Sequence, residues 1–184
     1  MKIISFFFLI FIISFTQLLA EEATSFNKWK RDFKILALKN NISEKTFDTV
    51  MAKTEGKLDA LFNNGAYGQA GAVEDLSRKV LRRQFETNVF GWHELTRLVL
   101  PHMIERRKGR ILQNSSVLGF VAFKYRGAYV ASKFALEGLT DTLRLELHGT
   151  GVHVSLIEPG PILSEFRKNA LKTFDKNIDQ QSSR

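Results

Sequence analysis

An α/β fold, with helices wound over both faces of a parallel sheet, is what this sequence of 184 residues predicts. Three observations predict it. The short apolar runs "LDALFNN", "GRILQNSS" and "VHVSLIEPG" each end in polar or turn-forming residues, as strands do. Stretches of helical length separate them: Glu74 to Phe90, Trp92 to Arg106 and Tyr129 to Leu147. Strands that alternate with such helices are joined by crossovers, which makes the sheet parallel.

Taken in order, residues 1–20, "MKIISFFFLIFIISFTQLLA", place one early lysine before an apolar run from Ile3 to Phe15, then a polar break and Ala20. That is the layout of a secretory signal peptide. The run falls short of the ~20 apolar residues that a membrane span needs. Leu18 is large for its place ahead of a cleavage point, so an uncleaved anchor is the alternative. Export to the periplasm or beyond is expected if the signal is used, and a cytoplasmic location if it is not.

Residues 21–54 predict a helical hairpin. Phe26, Trp29, Phe33 and Leu36 recur at helical spacing up to "KNN", and Ser43 caps a second helix carrying Phe47, Val50 and Met51. Residues 55–172 hold the strand–helix alternation, and residues 173–184 predict a frayed tail. In a parallel sheet, sites form outside the carboxyl ends of the strands. Asn63-Asn64-Gly65, Asn114-Ser115-Ser116 and Glu158-Pro159-Gly160 should therefore cluster.

Composition excludes several functions. The chain has no cysteine, which removes thiol catalysis, disulfides and cysteine-ligated zinc. His93, His102, His148 and His153 lack metal-ligand spacing. The net charge is +8, but its densest cluster, "RKVLRR", is interrupted by apolar residues at helical spacing and reads as a solvated helix face. No nucleic-acid motif accompanies it.

The chemistry concentrates in "AYVASKFALEGL". Tyr129 and Lys133, four residues apart, share one helix face. An ammonium beside a phenol favours the phenolate and suits it to moving a proton to or from oxygen. Ser116 ends the strand that feeds this helix, and its hydroxyl can hold a carbonyl or alcohol oxygen. Asn88 interrupts an apolar helical stretch, where its amide can bond backbone groups or hold a water beside the lysine.

With these residues in view, the stretch from about Lys57 to Phe166 resembles the short-chain dehydrogenase/reductase family, on "NNGAYG", "ETNVFG", "GRILQNSSVLG", "YVASK" and "EPGPI". The resemblance implies a Rossmann-like fold and a NAD- or NADP-dependent oxidoreductase acting on a small carbonyl or alcohol. It implies Tyr129 as acid/base, Lys133 as its modulator and a ligand of the nicotinamide ribose, Ser116 as substrate-orienting, and Asn88 as support for a water-lined proton path. It places Asn64 and Gly65 beside the adenine-side ribose, and Pro159, Gly160 and Ile162 near the nicotinamide. Ser164 stands where a threonine is common. Leu139, Leu143 and Leu147 continue a helix face that such proteins often use for subunit pairing. Separately, "FNKWKRDFKILALKNNISEKTFDTVM" resembles the start of mature lytic murein transglycosylases, without their catalytic region.

One expected part is not visible in the sequence. The family's cofactor turn needs glycines at i, i+4 and i+6 opening a helix. The glycines here begin at Gly56, and "GAYGQAG" has a different spacing. Three strand–helix units before "LFNN" would occupy on the order of 70 to 80 residues, whereas residues 21–57 read as two helices. The sequence therefore predicts an incomplete Rossmann-like sheet without its first three strands, preceded by the hairpin. It also predicts exposed apolar positions in "DALF" and "VSLI". Three functions follow as alternatives: an oxidoreductase, a non-catalytic remnant of one, and an exported cell-wall factor acting through the hairpin.

Overall fold

The structure, a computed structural model, describes residues 27–35, 37–39, 43–51 and 58–183. The expected signal segment, and Phe26 and Leu36 of the hairpin, lie outside the described residues. Two compact units divide the chain, Met1–Leu58 and Asp59–Arg184.

In the first unit, residues 27–35 and 37–39 are helical (α1) and Glu44–Met51 form α2. The aromatic face expected from the spacing is present: Trp29 stacks on Phe33 at 5.1 Å, and Phe33 meets Phe47 edge-on at 5.5 Å. Lys34 joins the two helices, 2.8 Å from Glu44 and 2.9 Å from Asp48.

The second unit is α/β. Its strands β1 (Ala60–Asn63), β2 (Gly109–Asn114) and β3 (Val152–Ile157) pair in parallel in the order β1-β2-β3. The register sets Asn63 beside Gln113 and Asn114 beside Ile157, so the carboxyl ends of the strands lie level. Between β1 and β2 the chain forms α3 (Arg78–Phe85), a π-helical turn at Glu86–Phe90 and α4 (Gly91–Glu105). Ser77 starts this run by accepting the Val80 N–H at 3.3 Å, which satisfies one of the free donors at the helix end. The 20-residue α5 (Gly127–Glu146) leads into β3. Met103 and Ile111 are fully buried, with Val99, Trp92, Leu136 and Val154 around the same core.

Burial alternates along β2 and β3, and Phe62 and Ile157 are exposed. That exposure falls within "DALF" and "VSLI", where the sequence placed it. Buried polar groups join β1, β2 and α4: Asn63 Nδ2 donates to Gln113 Oε1 at 2.9 Å and to Thr96 Oγ1 at 3.2 Å.

The tail differs from the expectation. Phe166–Asn177 form α6, so residues 173–177 are helical and not frayed. Thr173 Oγ1 donates to the Gly68 carbonyl at 2.8 Å, and Asn177 Nδ2 donates to Gln69 Oε1 at 2.8 Å. Ile178 is buried, and a side chain at Gly71, where φ is +147°, would run into it. These partners lie about a hundred residues upstream, where local periodicity carries no sign of them.

Candidate active site

The three strand ends do cluster. Asn114 Nδ2 donates to Asn64 Oδ1, and the Val117 N–H donates to the Pro159 carbonyl at 3.1 Å. Beside them opens a cleft of about 940 Å³ lined by Asn64, Ser116, Tyr129, Lys133, Pro159, Gly160, Ile162 and Ser164, among others. Eight positions singled out from the sequence thus line one cleft. Gly65 and Asn88 do not line it.

Asn88 and Gly65 serve the cleft from behind. Asn88 is fully buried in the π-helical turn. Its Oδ1 accepts the Tyr67 N–H at 3.2 Å, and its Nδ2 donates to the Tyr67 carbonyl at 3.0 Å and to Ser132 Oγ at 3.1 Å. Of the two uses foreseen for this amide, backbone bonding is the one observed. The Gly65 carbonyl accepts the Trp92 indole N–H at 2.7 Å, and a Cβ at Gly65 would meet open space. Gln84, also fully buried, bonds the Gln69 N–H and the Tyr67 carbonyl, each at 2.8 Å. Gln84, Asn88 and Trp92 recur at every fourth position along one helical run, and together they pin the turn from Gly65 to Gly71 over the strand ends.

The electrostatics at Tyr129 depart from the sequence expectation. Tyr129 and Lys133 share a face of α5 as predicted, and both are buried. Lys133 Nζ donates to the Asn114 carbonyl at 2.7 Å and lies 4.5 Å from the centre of the Trp92 ring. It approaches the Tyr129 ring, 5.5 Å from its centre. Burial pushes the Tyr129 phenol above its ordinary pKa, and a hydrogen bond with Ser116 works against that shift. The phenol is thus raised, where a neighbouring ammonium was expected to lower it, because desolvation outweighs the Ser116 hydrogen bond. Burial also lowers Lys133 to about 8, opposed by the Glu137 carboxylate.

Ser116 lies two residues past the end of β2 in extended backbone, and its Oγ accepts the Leu118 N–H at 3.1 Å. Ser164 Oγ accepts the Phe166 N–H at 3.4 Å, at the start of α6. Sequence reasoning placed Asn114 in the strand-end cluster without a role, and it missed Trp92, Phe166 and Ser132. Asn114 carries both the Asn64 link and the carbonyl that holds Lys133, and its place at a strand end was the available signal. Trp92 lies under the Lys133 ammonium, one turn beyond Asn88. Phe166 packs edge-on against Tyr129 at 5.3 Å, and Ser132 receives the Asn88 amide while donating to the Tyr129 carbonyl at 2.7 Å. Spacing held no sign of these last two.

Comparison with known proteins agrees with this geometry. The sequence model of the short chain dehydrogenase family matches residues 12–174. The chain is 45% identical over 137 residues to the uncharacterized oxidoreductase YbbO of Escherichia coli (strain K12), covering 74% of this chain and 51% of that one. A short-chain dehydrogenase from Streptomyces avermitilis superimposes with a TM-score of 0.58 at 40% identity, over 62% of this chain and 42% of that one. ElxO, solved with NADP bound, superimposes with a TM-score of 0.60 at 26% identity, over 72% of this chain and 52% of that one. The chain spans about half the length of the curated relatives it matches. The likeness of the hairpin to lytic murein transglycosylases gains no support. A match over most of the sequence, with the Ser116, Tyr129 and Lys133 cluster standing at the strand ends, places this chain in the short-chain dehydrogenase family.

Proposed function

We propose that the chain is a NAD(P)-dependent oxidoreductase that reduces a carbonyl or oxidises an alcohol at Ser116, Tyr129 and Lys133. The observation that carries this reading is the convergence of the three side chains, from the segment after β2 and from α5, on one cleft. A phenol held protonated by burial is suited to donate its proton to a carbonyl oxygen. The Ser116 hydroxyl, hydrogen-bonded to that phenol, can hold the same oxygen and orient it. Lys133 supplies a positive charge beneath the site, held by the Asn114 carbonyl.

The cleft fits the nicotinamide end of the cofactor. Lys133 can donate to ribose hydroxyls, and Asn64, Pro159, Gly160 and Ile162 line the space beside it. When bound, the cofactor would supply or accept the hydride. The pyrophosphate end fits less well. Among the described residues the Gly65–Gly71 turn is the glycine-rich segment at a strand end, and two of its N–H groups, those of Tyr67 and Gln69, are taken by Asn88 and Gln84.

Tyr129→Phe should abolish turnover of NADPH or NADH with a carbonyl substrate while leaving cofactor binding within about twofold. Lys133→Ala should weaken both, and Lys79→Ala neither. Trp92 lies against Lys133, so energy transfer from tryptophan to NADPH reports binding directly. No transfer at millimolar NADPH, with no thermal shift, would overturn the reading in favour of a non-catalytic protein. Export remains a proposal from residues 1–20, tested by the amino terminus of the mature chain in mass spectrometry. No helix among the described residues is long and apolar enough to cross a membrane.

A further inference from the structure

The structure points to a substrate class: we propose that the cleft takes molecules with an apolar body and an anionic end, the anion being held by Arg126 and Arg167. This inference rests on the oxidoreductase reading of the same cleft and specifies what it acts on.

Two walls argue for the apolar body. After β2, Val121 and Phe123 line the cleft, and after β3, Ile162 and Phe166 line it. Phe123 and Ile162 remain 65% and 66% exposed, so these large side chains face water with nothing packed over them. Covering them with an apolar ligand removes that surface from water, which favours binding. Phe166 also touches Tyr129, so an apolar body lying along this wall brings its end close to the phenol.

Charge argues for the anionic end. Among the described residues lining the cleft, the charged side chains are Lys133, Arg126 and Arg167, and no Asp or Glu accompanies them. Lys133, held by the Asn114 carbonyl, belongs to the redox end of the cleft. Arg126 stands immediately before α5, three residues ahead of Tyr129, and Arg167 follows Phe166 on α6. Three other arginines have carboxylate neighbours, Arg97 with Glu94, Arg144 with Asp141 and Arg106 with Asp59, whereas the lining of this cleft offers none. Arg126 and Arg167 take no such partner among the described residues. A guanidinium is always charged and offers a planar fork that fits a carboxylate or phosphate oxygen pair. Two of them on the rim of an acid-free cleft leave a charge for the ligand to complement.

The test uses decanoate and 1-decanol, which share an apolar chain and differ in charge. Their binding to the full chain is measured by calorimetry, alongside Arg126→Gln, Arg167→Gln and the double variant. Both positions are partly or fully exposed, so folding should survive, and circular dichroism checks it. Decanoate should bind roughly tenfold tighter than decanol, and the double variant should erase that preference while leaving decanol unchanged. Equal affinity for the two probes, or a preference that survives in the double variant, would overturn the proposal. So would a double variant that loses NADPH affinity but keeps decanoate, since the arginines would then serve a cofactor phosphate. Decanoate selectivity without NADPH binding or turnover would uphold the anion site and remove the redox reading alone.

Discussion

Lys133 places a cation where water hardly reaches, and that one residue sets a measurable pH dependence. Its Nζ has the Asn114 carbonyl and the Trp92 ring as partners, yet burial still lowers it from the usual 10.5 to about 8. Between those values the unfolded chain holds a proton that the folded chain has released. Folding stability should therefore rise as pH increases from about 8 towards 10.5, and the strain of burying the charge is fully present below 8. The difference is worth about 3 kcal/mol for this group, an upper bound once the protein relaxes. Chemical denaturation between pH 7 and 9.5 should show the rise, and Lys133→Met should remove most of it. A flat profile in the unaltered protein would mean that the ammonium is better solvated than its position implies. The Tyr129–Lys133 pairing was legible from a spacing of four. The direction in which Tyr129 shifts was not, because it depends on how much of α6 and of the strand ends packs around the ring.

The element that organises the site is the long helical run from Arg78 to Glu105. Gln84, Asn88 and Trp92 project from it at intervals of four, and each is spent on the backbone of the Gly65–Gly71 turn. Asn88→Ala would leave the Tyr67 N–H without its partner, at a cost of about 1–3 kcal/mol. Gln84→Ala would do the same to the Gln69 N–H. Both variants should melt earlier, and proteolysis should cut first within residues 65–71. If protection there is unchanged, the amides do not hold the turn. Strands and helices were readable because apolar spacing is a local property. α6 was not: "FRKNALKTFDKN" is largely polar, and what holds it in place is Phe166 on Tyr129, Thr173 on Gly68 and Asn177 on Gln69. A tail with a weak apolar pattern looks frayed until its distant partners are in view.

Across the whole molecule, the second unit leaves apolar side chains on its outer strands. Among the described strands β1 is an outer one, and Phe62 on it is half exposed. Such positions promote association between copies. Phe62→Lys should reduce concentration-dependent light scattering and leave stability within about 0.5 kcal/mol. Unchanged scattering would show that another surface is responsible. The leucines expected to form a pairing face divide: Leu139 is exposed, while Leu147 is buried. Homo-oligomerisation through α5 remains a proposal that sedimentation can test. By itself the sequence determined the alternation of elements, the meeting of strand ends at one edge and the shared face of Tyr129 and Lys133. Each of these follows from short-range periodicity and from the geometry common to parallel sheets. Only the tertiary structure decided which partner Lys133 takes, that burial raises the Tyr129 phenol, that Asn88 supports a turn from behind and that two unpaired arginines border the cleft. Those outcomes depend on desolvation and on contacts between segments up to a hundred residues apart, which no local pattern encodes.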